Sequence, residues 1–86
     1  MDTKAMLTGY IRSEIIHNQD AQFDESEDLI EVGALDSLGI LQLVAYIDEA
    51  MGIQVPDEDV IYENFRSLDA IDNYLQQYAR RTRSAF

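Results

Sequence analysis

A change of pattern at residues 36 and 37 limits the fold of this chain more than any other feature. Residues 19–36 are rich in acid and show no apolar periodicity, whereas Ser37–Met51 carries the most apolar helical pattern in the sequence. In that second segment Leu43 and Ile47 lie one helical turn apart, with further apolar residues on adjoining positions. The pattern predicts that a loop becomes a helix at this point, with a serine at the junction.

A second helix is predicted near the start of the chain. Leu7, Ile11 and Ile15 recur at a spacing of four, which is typical of an amphipathic helix over residues 3–18. His17, the sole histidine, falls in its last predicted turn. Between this helix and Ser37 runs a long connection, and structureless loops of that length are uncommon in compact domains. We expect several of its apolar residues to insert into the core; they are Phe23, Leu29, Ile30, Val32 and Leu35.

The last third of the chain adds a short helix and a long one. Pro56 followed by three acidic residues is a helix-start signal and predicts a short helix over residues 58–63. Ser67 is a helix cap, and an apolar stripe over 68–78 predicts the last helix. No stretch predicts a convincing set of strands. The sequence therefore predicts an all-α fold, a small bundle of three main helices plus one short helix with a long first loop.

Length, charge and cysteine content narrow the class of protein. The chain has 86 residues, which suits one domain over 1–80 with a flexible C-terminal tail over 81–86. Its net charge of −11 disfavours binding to nucleic acid or anionic membranes and favours partners with basic patches, although acidic charge also serves solubility alone. There is no cysteine and no apolar run long enough to span a bilayer. We expect a cytoplasmic monomer.

The residues needed for catalysis are scarce. A serine nucleophile requires a base and an oxyanion hole, but His17 is the single imidazole and the flanks of Ser37 lack the G-x-S-x-G pattern. The sequence contains no phosphate-binding loop and no His/Cys/Asp metal pattern. It therefore predicts neither an autonomous enzyme nor a metal site.

The serine at the loop–helix junction allows two interpretations. If Asp36 caps the helix, Ser37 occupies the first helical position and its hydroxyl faces solvent. Alternatively, Ser37 is itself the cap and carries no modification. A helix N-terminus has unpaired N–H groups and partial positive charge, so a phosphate ester on an exposed Ser37 would be well tolerated there.

The segment Leu-Asp-Ser-Leu at residues 35–38 resembles the attachment motif of acyl and peptidyl carrier proteins, of the stand-alone type. The resemblance extends over about residues 5–79, with its parts in the family's order. The long loop ends in Gly-Ala-Leu-Asp-Ser-Leu, and the following helix closes with Met-Gly-Ile-Gln-Val-Pro at 51–56. The segment at 64–71, Asn-Phe-Arg-Ser-Leu-Asp-Ala-Ile, is similar to the family's entry into the fourth helix.

This resemblance implies that Ser37 carries a 4′-phosphopantetheine arm, transferred from coenzyme A by a phosphopantetheinyl transferase. The thiol of the arm would hold acyl or aminoacyl groups as thioesters. Asp36 would orient the serine and contact the transferase, and Leu38 would be an apolar contact for partner enzymes. Those partners would include an adenylate-forming acyl or aminoacyl ligase and downstream acyl-transfer or condensing enzymes.

The resemblance further implies that the second helix is the main docking surface, with the loop before it and the short third helix beside it. Its residues would be Gly39, Leu41, Gln42, Ala45, Asp48, Glu49, Asp57 and Glu58. Fatty-acid carriers usually have acidic residues at the positions of Gly39 and Gln42. Their replacement here favours a specialised polyketide, nonribosomal peptide or aminoacyl pathway. A fatty-acid synthesis carrier and an unmodified acidic helical adaptor are the alternatives.

Overall fold

The computed structural model describes residues 3–84, with side chains through residue 79, and its regular structure in that range is entirely helical. The elements in chain order are α1 (Thr3–Tyr10) with a π-helical turn (Ile11–Ile16), α2 (Ser37–Met51), a 3₁₀ turn (Asp57–Asp59), α3 (Tyr62–Phe65) and α4 (Leu68–Ser84). The predicted all-α bundle of three main helices and one short one is confirmed.

One apolar core joins these elements. Each long helix contributes the apolar stripe that its sequence predicts, because residues four positions apart share a helix face. The chain's fully buried side chains also include residues from the first loop and α3. The largest of them are Leu7, Ile11, Leu29, Leu35, Leu43, Ile47, Phe65, Leu68 and Ile71.

The first helix is shorter and less regular than predicted. Its α-helical hydrogen bonding changes to a π-helical pattern at Ile11, and the helix ends at Ile16 rather than at residue 18. His17 has a left-handed backbone conformation, with φ of 59°, and lies exposed beyond the last turn. The N–H of Asn18 donates to the Arg12 carbonyl at 2.8 Å, which closes the helix end. A left-handed residue cannot continue a right-handed helix, so His17 terminates it.

The long first loop is anchored by two leucines. Leu29 and Leu35 are buried in the core, as expected, and Phe23 and Ile30 are partly buried. The Leu29 N–H donates to the Arg66 carbonyl at 2.7 Å, and the Leu35 N–H donates to the Leu29 carbonyl at 2.9 Å. Val32 is the exception, since it is 60% exposed. The loop is therefore fixed to the corner between α3 and α4.

Tyr62 ties the same loop to the start of α3. Its hydroxyl donates to the Asp28 carboxylate, which also accepts from the N–H groups of Ile30 and Glu31 at 3.1 and 2.9 Å. The hydrogen bond from Tyr62, followed by the one from Glu31, lowers the pKa of Asp28 from its usual value. The same bond is the main reason why the pKa of the Tyr62 hydroxyl is raised.

Two predicted boundaries differ in the structure. The short helix predicted over 58–63 is wrong in extent, because the chain forms a 3₁₀ turn, then extends at Ile61 with φ of −125° and ψ of 161° before α3 begins. Val60 and Ile61 are β-branched, which disfavours helix at this point. At the other end, α4 continues to Ser84, past the boundary suggested at residue 80. Residues 85–86 lie outside the described range, and the division into domain and tail stays a prediction.

We predict that Leu29→Ala destabilises the protein by about 2–5 kcal/mol, because it removes a fully buried side chain and leaves a cavity. Val32→Ala, in the same loop but exposed, should change the free energy of unfolding by less than about 0.5 kcal/mol. Urea denaturation of both variants measures the difference. Equal stabilities for the two variants would show that the loop is not anchored through Leu29.

A second prediction concerns the pH dependence of stability. Because the pKa of Asp28 is lower in the folded chain, its ionised form stabilises the fold above the unfolded-state pKa, and this is lost as pH falls through the folded-state pKa. Tyr62→Phe removes the largest cause, so the pKa of Asp28 should rise towards its usual value. An NMR titration of the side-chain carboxyl carbons measures this, with Tyr46→Phe as the control. An unchanged Asp28 titration in Tyr62→Phe would contradict the hydrogen bond.

Candidate functional site

Asp36 is the cap of α2. Its backbone is extended, and its Oδ1 accepts the Gly39 N–H at 2.8 Å, which satisfies one of the unpaired donors of the first turn. Ser37 is consequently the first helical residue. Of the two interpretations left open by the sequence, the structure supports capping by Asp36.

Ser37 is exposed at this corner, and its hydroxyl makes no hydrogen bond within the part of the chain that the structure describes. The N–H groups of the first turn give the corner partial positive charge. A phosphodiester on the serine oxygen would meet that favourable potential without displacing an internal hydrogen bond. The geometry therefore fits a phosphate-linked group at this position.

Most of the predicted docking residues lie on the surface of α2 and of the 3₁₀ turn. Leu38 and Leu41 are the most prominent, with exposed fractions of 65% and 61%. The other exposed positions are Gln42, Ala45, Asp48, Glu49, Asp57 and Glu58. Their exposure makes contact with a partner possible, and their role in docking stays a prediction.

Gly39 is a correction to the predicted docking surface, because it is buried. A Cβ atom at this position would lie 3.3 Å from Asp36 Oδ1 and 3.3 Å from Ile15 Cγ2. Both distances are tighter than an ordinary van der Waals contact. Position 39 is therefore a point of close packing between the first helix and α2, and it presents no side chain to a partner.

An aromatic pair fixes the middle of α2 against the first helix. The rings of Tyr10 and Tyr46 stack with centroids 4.2 Å apart and planes inclined by 21°. The Tyr10 hydroxyl donates to the Gln42 carbonyl at 3.3 Å. Burial, followed by the charge of Glu14, raises the pKa of Tyr10. Gln42 itself remains exposed.

Three exposed apolar residues were not among the predicted site residues. They are Val32, in the loop before Ser37, and Ile61 and Tyr62, at the start of α3. The bond between Tyr62 and Asp28 brings these two segments together although the residues are 34 positions apart. No local pattern in the sequence marks such a pairing.

Other kinds of site receive no support from the described residues. Across 3–84, no group of three or more histidines and carboxylates is arranged to hold a metal ion. No helix in that range has the length and apolar character needed to cross a membrane.

Comparison with known proteins agrees with this geometry. A family model described as "Phosphopantetheine attachment site" matches residues 11–75. The D-alanyl carrier protein of Enterococcus faecalis (strain ATCC 700802 / V583) is 46% identical over 46 residues, which cover 54% of this chain and 51% of that protein. The match thus spans about half the length of this relative.

A solved structure has the same fold. One chain of the structure titled "Crystal structure of FAD-dependent dehydrogenase" superposes with a TM-score of 0.71 and 26% sequence identity, covering 79% of this chain and 96% of that chain. The matched chain is therefore itself a small domain. The family match covers the π-helical turn, the capped serine, α2, α3 and the first eight residues of α4. The chain belongs to the phosphopantetheine-attachment family, whose domain carries covalently attached 4′-phosphopantetheine.

Proposed function

We propose that this protein acts as a stand-alone aminoacyl carrier whose 4′-phosphopantetheine arm is attached to Ser37. The observation that carries the assignment is the exposed Ser37 hydroxyl at the first position of α2, with capping assigned to Asp36. The arm supplies a terminal thiol that forms thioesters, and no cysteine of the chain could supply one. An arm of this kind raises the effective concentration of its group at the active site of a docked enzyme.

Attachment requires Ser37 to act as the nucleophile in a reaction catalysed by a phosphopantetheinyl transferase. The Ser37 oxygen forms a bond to the phosphorus next to pantetheine, and the bond from that phosphorus to the bridging oxygen of the coenzyme A diphosphate breaks. Adenosine bisphosphate leaves with that oxygen. We assign acceptance of the serine proton to the transferase, since no described side chain is hydrogen-bonded to the Ser37 hydroxyl.

The aminoacyl assignment rests on two observations. A relative with 46% identity over the matched segment is a D-alanyl carrier protein. In addition, the first two turns of α2 have no acidic side chain after Asp36, since acid returns at Asp48. An adenylate-forming ligase that activates an amino acid is therefore the proposed loading partner, and the cytoplasm, which supplies coenzyme A and ATP, is the proposed location.

A second candidate concerns the enzyme that consumes the loaded carrier. The matched solved structure is titled for an FAD-dependent dehydrogenase. This likeness favours a downstream enzyme that removes two electrons and two protons from the arm-bound group and reduces its flavin. Mixing loaded carrier with such an enzyme and following flavin absorbance would test this candidate, and persistent oxidised flavin would count against it.

The attachment site is tested by incubating the protein with coenzyme A, Mg²⁺ and a broad-specificity phosphopantetheinyl transferase. We predict that intact-mass spectrometry shows the addition of one phosphopantetheine group to the wild type and none to Ser37→Ala. Ser26→Ala, which removes an exposed serine from the same loop, is the matched control and should be modified like the wild type. A folded wild-type protein that gains no mass would favour the unmodified adaptor.

The carried group is tested on the modified protein in the same way. The modified protein is incubated in parallel with amino acid ligases and with fatty-acyl ligases. We expect it to gain the mass of an amino acid, held in a thioester that hydroxylamine cleaves. Loading by a fatty-acyl ligase alone would instead support the alternative of fatty-acid synthesis.

A further inference from the structure

The first helix and α2 pack closely against each other at Gly39, two residues after Ser37. Ile15 lies in the π-helical turn, and a Cβ atom on Gly39 would be 3.3 Å from the Cγ2 atom of Ile15. On the other side, the Asp36 carboxylate oxygen would be at the same distance. Gly39 is thus held between the side chain that caps α2 and the side chain that packs against its first turn.

Ile15 has little freedom to withdraw. His17, two residues later, ends the helix in a left-handed conformation, and both His17 and Asn18 donate their N–H groups to the Arg12 carbonyl. Arg12 is itself fixed, since its Nε donates to the Ala21 carbonyl at 2.8 Å and its guanidinium lies 5.8 Å from the centre of the Phe23 ring. The π-helical turn and the loop after it therefore hold Ile15 in place.

Asp36 is equally constrained. Its Oδ1 atom is the one that accepts the Gly39 N–H at 2.8 Å. To make room for a side chain at position 39, this oxygen would have to move away from the N–H that it caps. A methyl group at position 39 would therefore displace Ile15, the Asp36 cap, or the first turn of α2.

From this packing we propose that Gly39 is a positioning residue for phosphopantetheine transfer, holding the first turn of α2 so that the Ser37 oxygen is correctly placed. Gly39 acts through Asp36 and Ile15 and touches neither coenzyme A nor the transferase. The inference rests on the proposed attachment at Ser37. The close packing gives a structural reason for glycine at position 39. This reason differs from the absence of an acidic docking residue there.

The effect of a substitution should be confined to the reacting geometry. Leu38 and Leu41 are exposed and available to a docked transferase, whereas the tight contacts of a Cβ at position 39 would be with Asp36 and Ile15. Gly39→Ala should therefore leave KM for the carrier unchanged. Phosphoryl transfer depends on the alignment of the attacking oxygen, and a shift of tenths of an ångström should lower kcat by about 3- to 10-fold.

The experiment measures kcat and KM of a phosphopantetheinyl transferase with each carrier variant, below the unfolding temperature of all of them. Gly9→Ala is the matched control, because Gly9 is also helical and a Cβ there would have no neighbour within 4 Å. We expect wild-type kcat for Gly9→Ala and a lowered kcat for Gly39→Ala. A lowered kcat in both would contradict the positioning role.

Changes at Ile15 separate positioning from stability. Gly39→Ala combined with Ile15→Ala, which deletes the Cγ2 atom, should return kcat to within about 2-fold of wild type, although the added cavity lowers stability. Gly39→Ala combined with Ile15→Val, which keeps both γ carbons, should not restore kcat. If kcat instead follows stability through the series, the positioning role is overturned.

The remaining outcomes also decide the question. If the wild type is not modified, the proposed function fails, whereas wild-type kinetics for Gly39→Ala in a modified protein overturn the positioning role alone. An increase in KM with unchanged kcat would assign Gly39 to docking instead. If Gly39→Ala fails to fold, the comparison is made between Ile15→Ala alone and Ile15→Ala combined with Gly39→Ala. We expect equal kcat values for these two variants. A lower kcat for the double variant would contradict the proposal.

Discussion

The hydrogen bond from the Gly39 N–H to the Asp36 carboxylate determines the residue at which α2 begins. With capping assigned to Asp36, Ser37 becomes the first helical residue and its hydroxyl stays outside the helix. If α2 began one residue later, Ser37 would be the cap and its hydroxyl oxygen would accept from a backbone N–H of the first turn. The direction in which any group on Ser37 projects therefore depends on this one short bond.

The loop before α2 is anchored to the rest of the structure, and this fixes the start of the helix. A long acidic loop would ordinarily be mobile, but Leu29 and Leu35 are buried and their backbone groups bond to one another. The loop is further joined to α3 by Tyr62 and Asp28, and to α4 where the Asp69 N–H donates to the Glu25 carbonyl at 2.9 Å. A flexible arm is most effective when its attachment point is fixed, since all of its motion then belongs to the arm.

The features that could be predicted from the sequence are those with local signals. The bounds of α2 follow from an aspartate at its start, an apolar period of 3.6 and a glycine, Gly52, with φ of 68° at its end. The motif around Ser37 is likewise contiguous. The π-helical turn has no such signal, because the spacing of Leu7, Ile11 and Ile15 reads as an ordinary α-helix.

The two errors of prediction have different physical causes, which are contact between distant parts of the chain at Gly39 and a local break in the helix at Val60 and Ile61. Gly39 resembled a surface position when judged by its place in the helix, yet the burial of Gly39 depends on Ile15, which lies in another helix. The interruption at Val60 and Ile61 was hidden by the acidic helix-start signal before it. These two β-branched residues disfavour a helix there, and the side-chain hydrogen bond from Asn64 to the Asp59 carbonyl at 2.9 Å spans the break.

The two halves of α2 differ in charge, because its acidic residues lie in the second half. Lys4 pairs with Asp69 at 2.7 Å, Arg12 bonds to a loop carbonyl, and Arg66 lies near enough to Asp28 to contribute to the lowering of its pKa. No lysine or arginine occurs in α2 itself, so nothing on that helix offsets its acids.

These acids lie away from the serine. Leu38 and Leu41 form the exposed surface beside Ser37, whereas Asp48 and Glu49 lie two to three turns further along. An enzyme that docks on this helix would therefore meet apolar contacts near the reacting end and need basic side chains only at the far end. Charge contributes mainly to the rate of encounter, and buried apolar contact contributes mainly to the lifetime of a complex. In such a complex, affinity would be concentrated next to the attached group, where alignment matters for the chemistry.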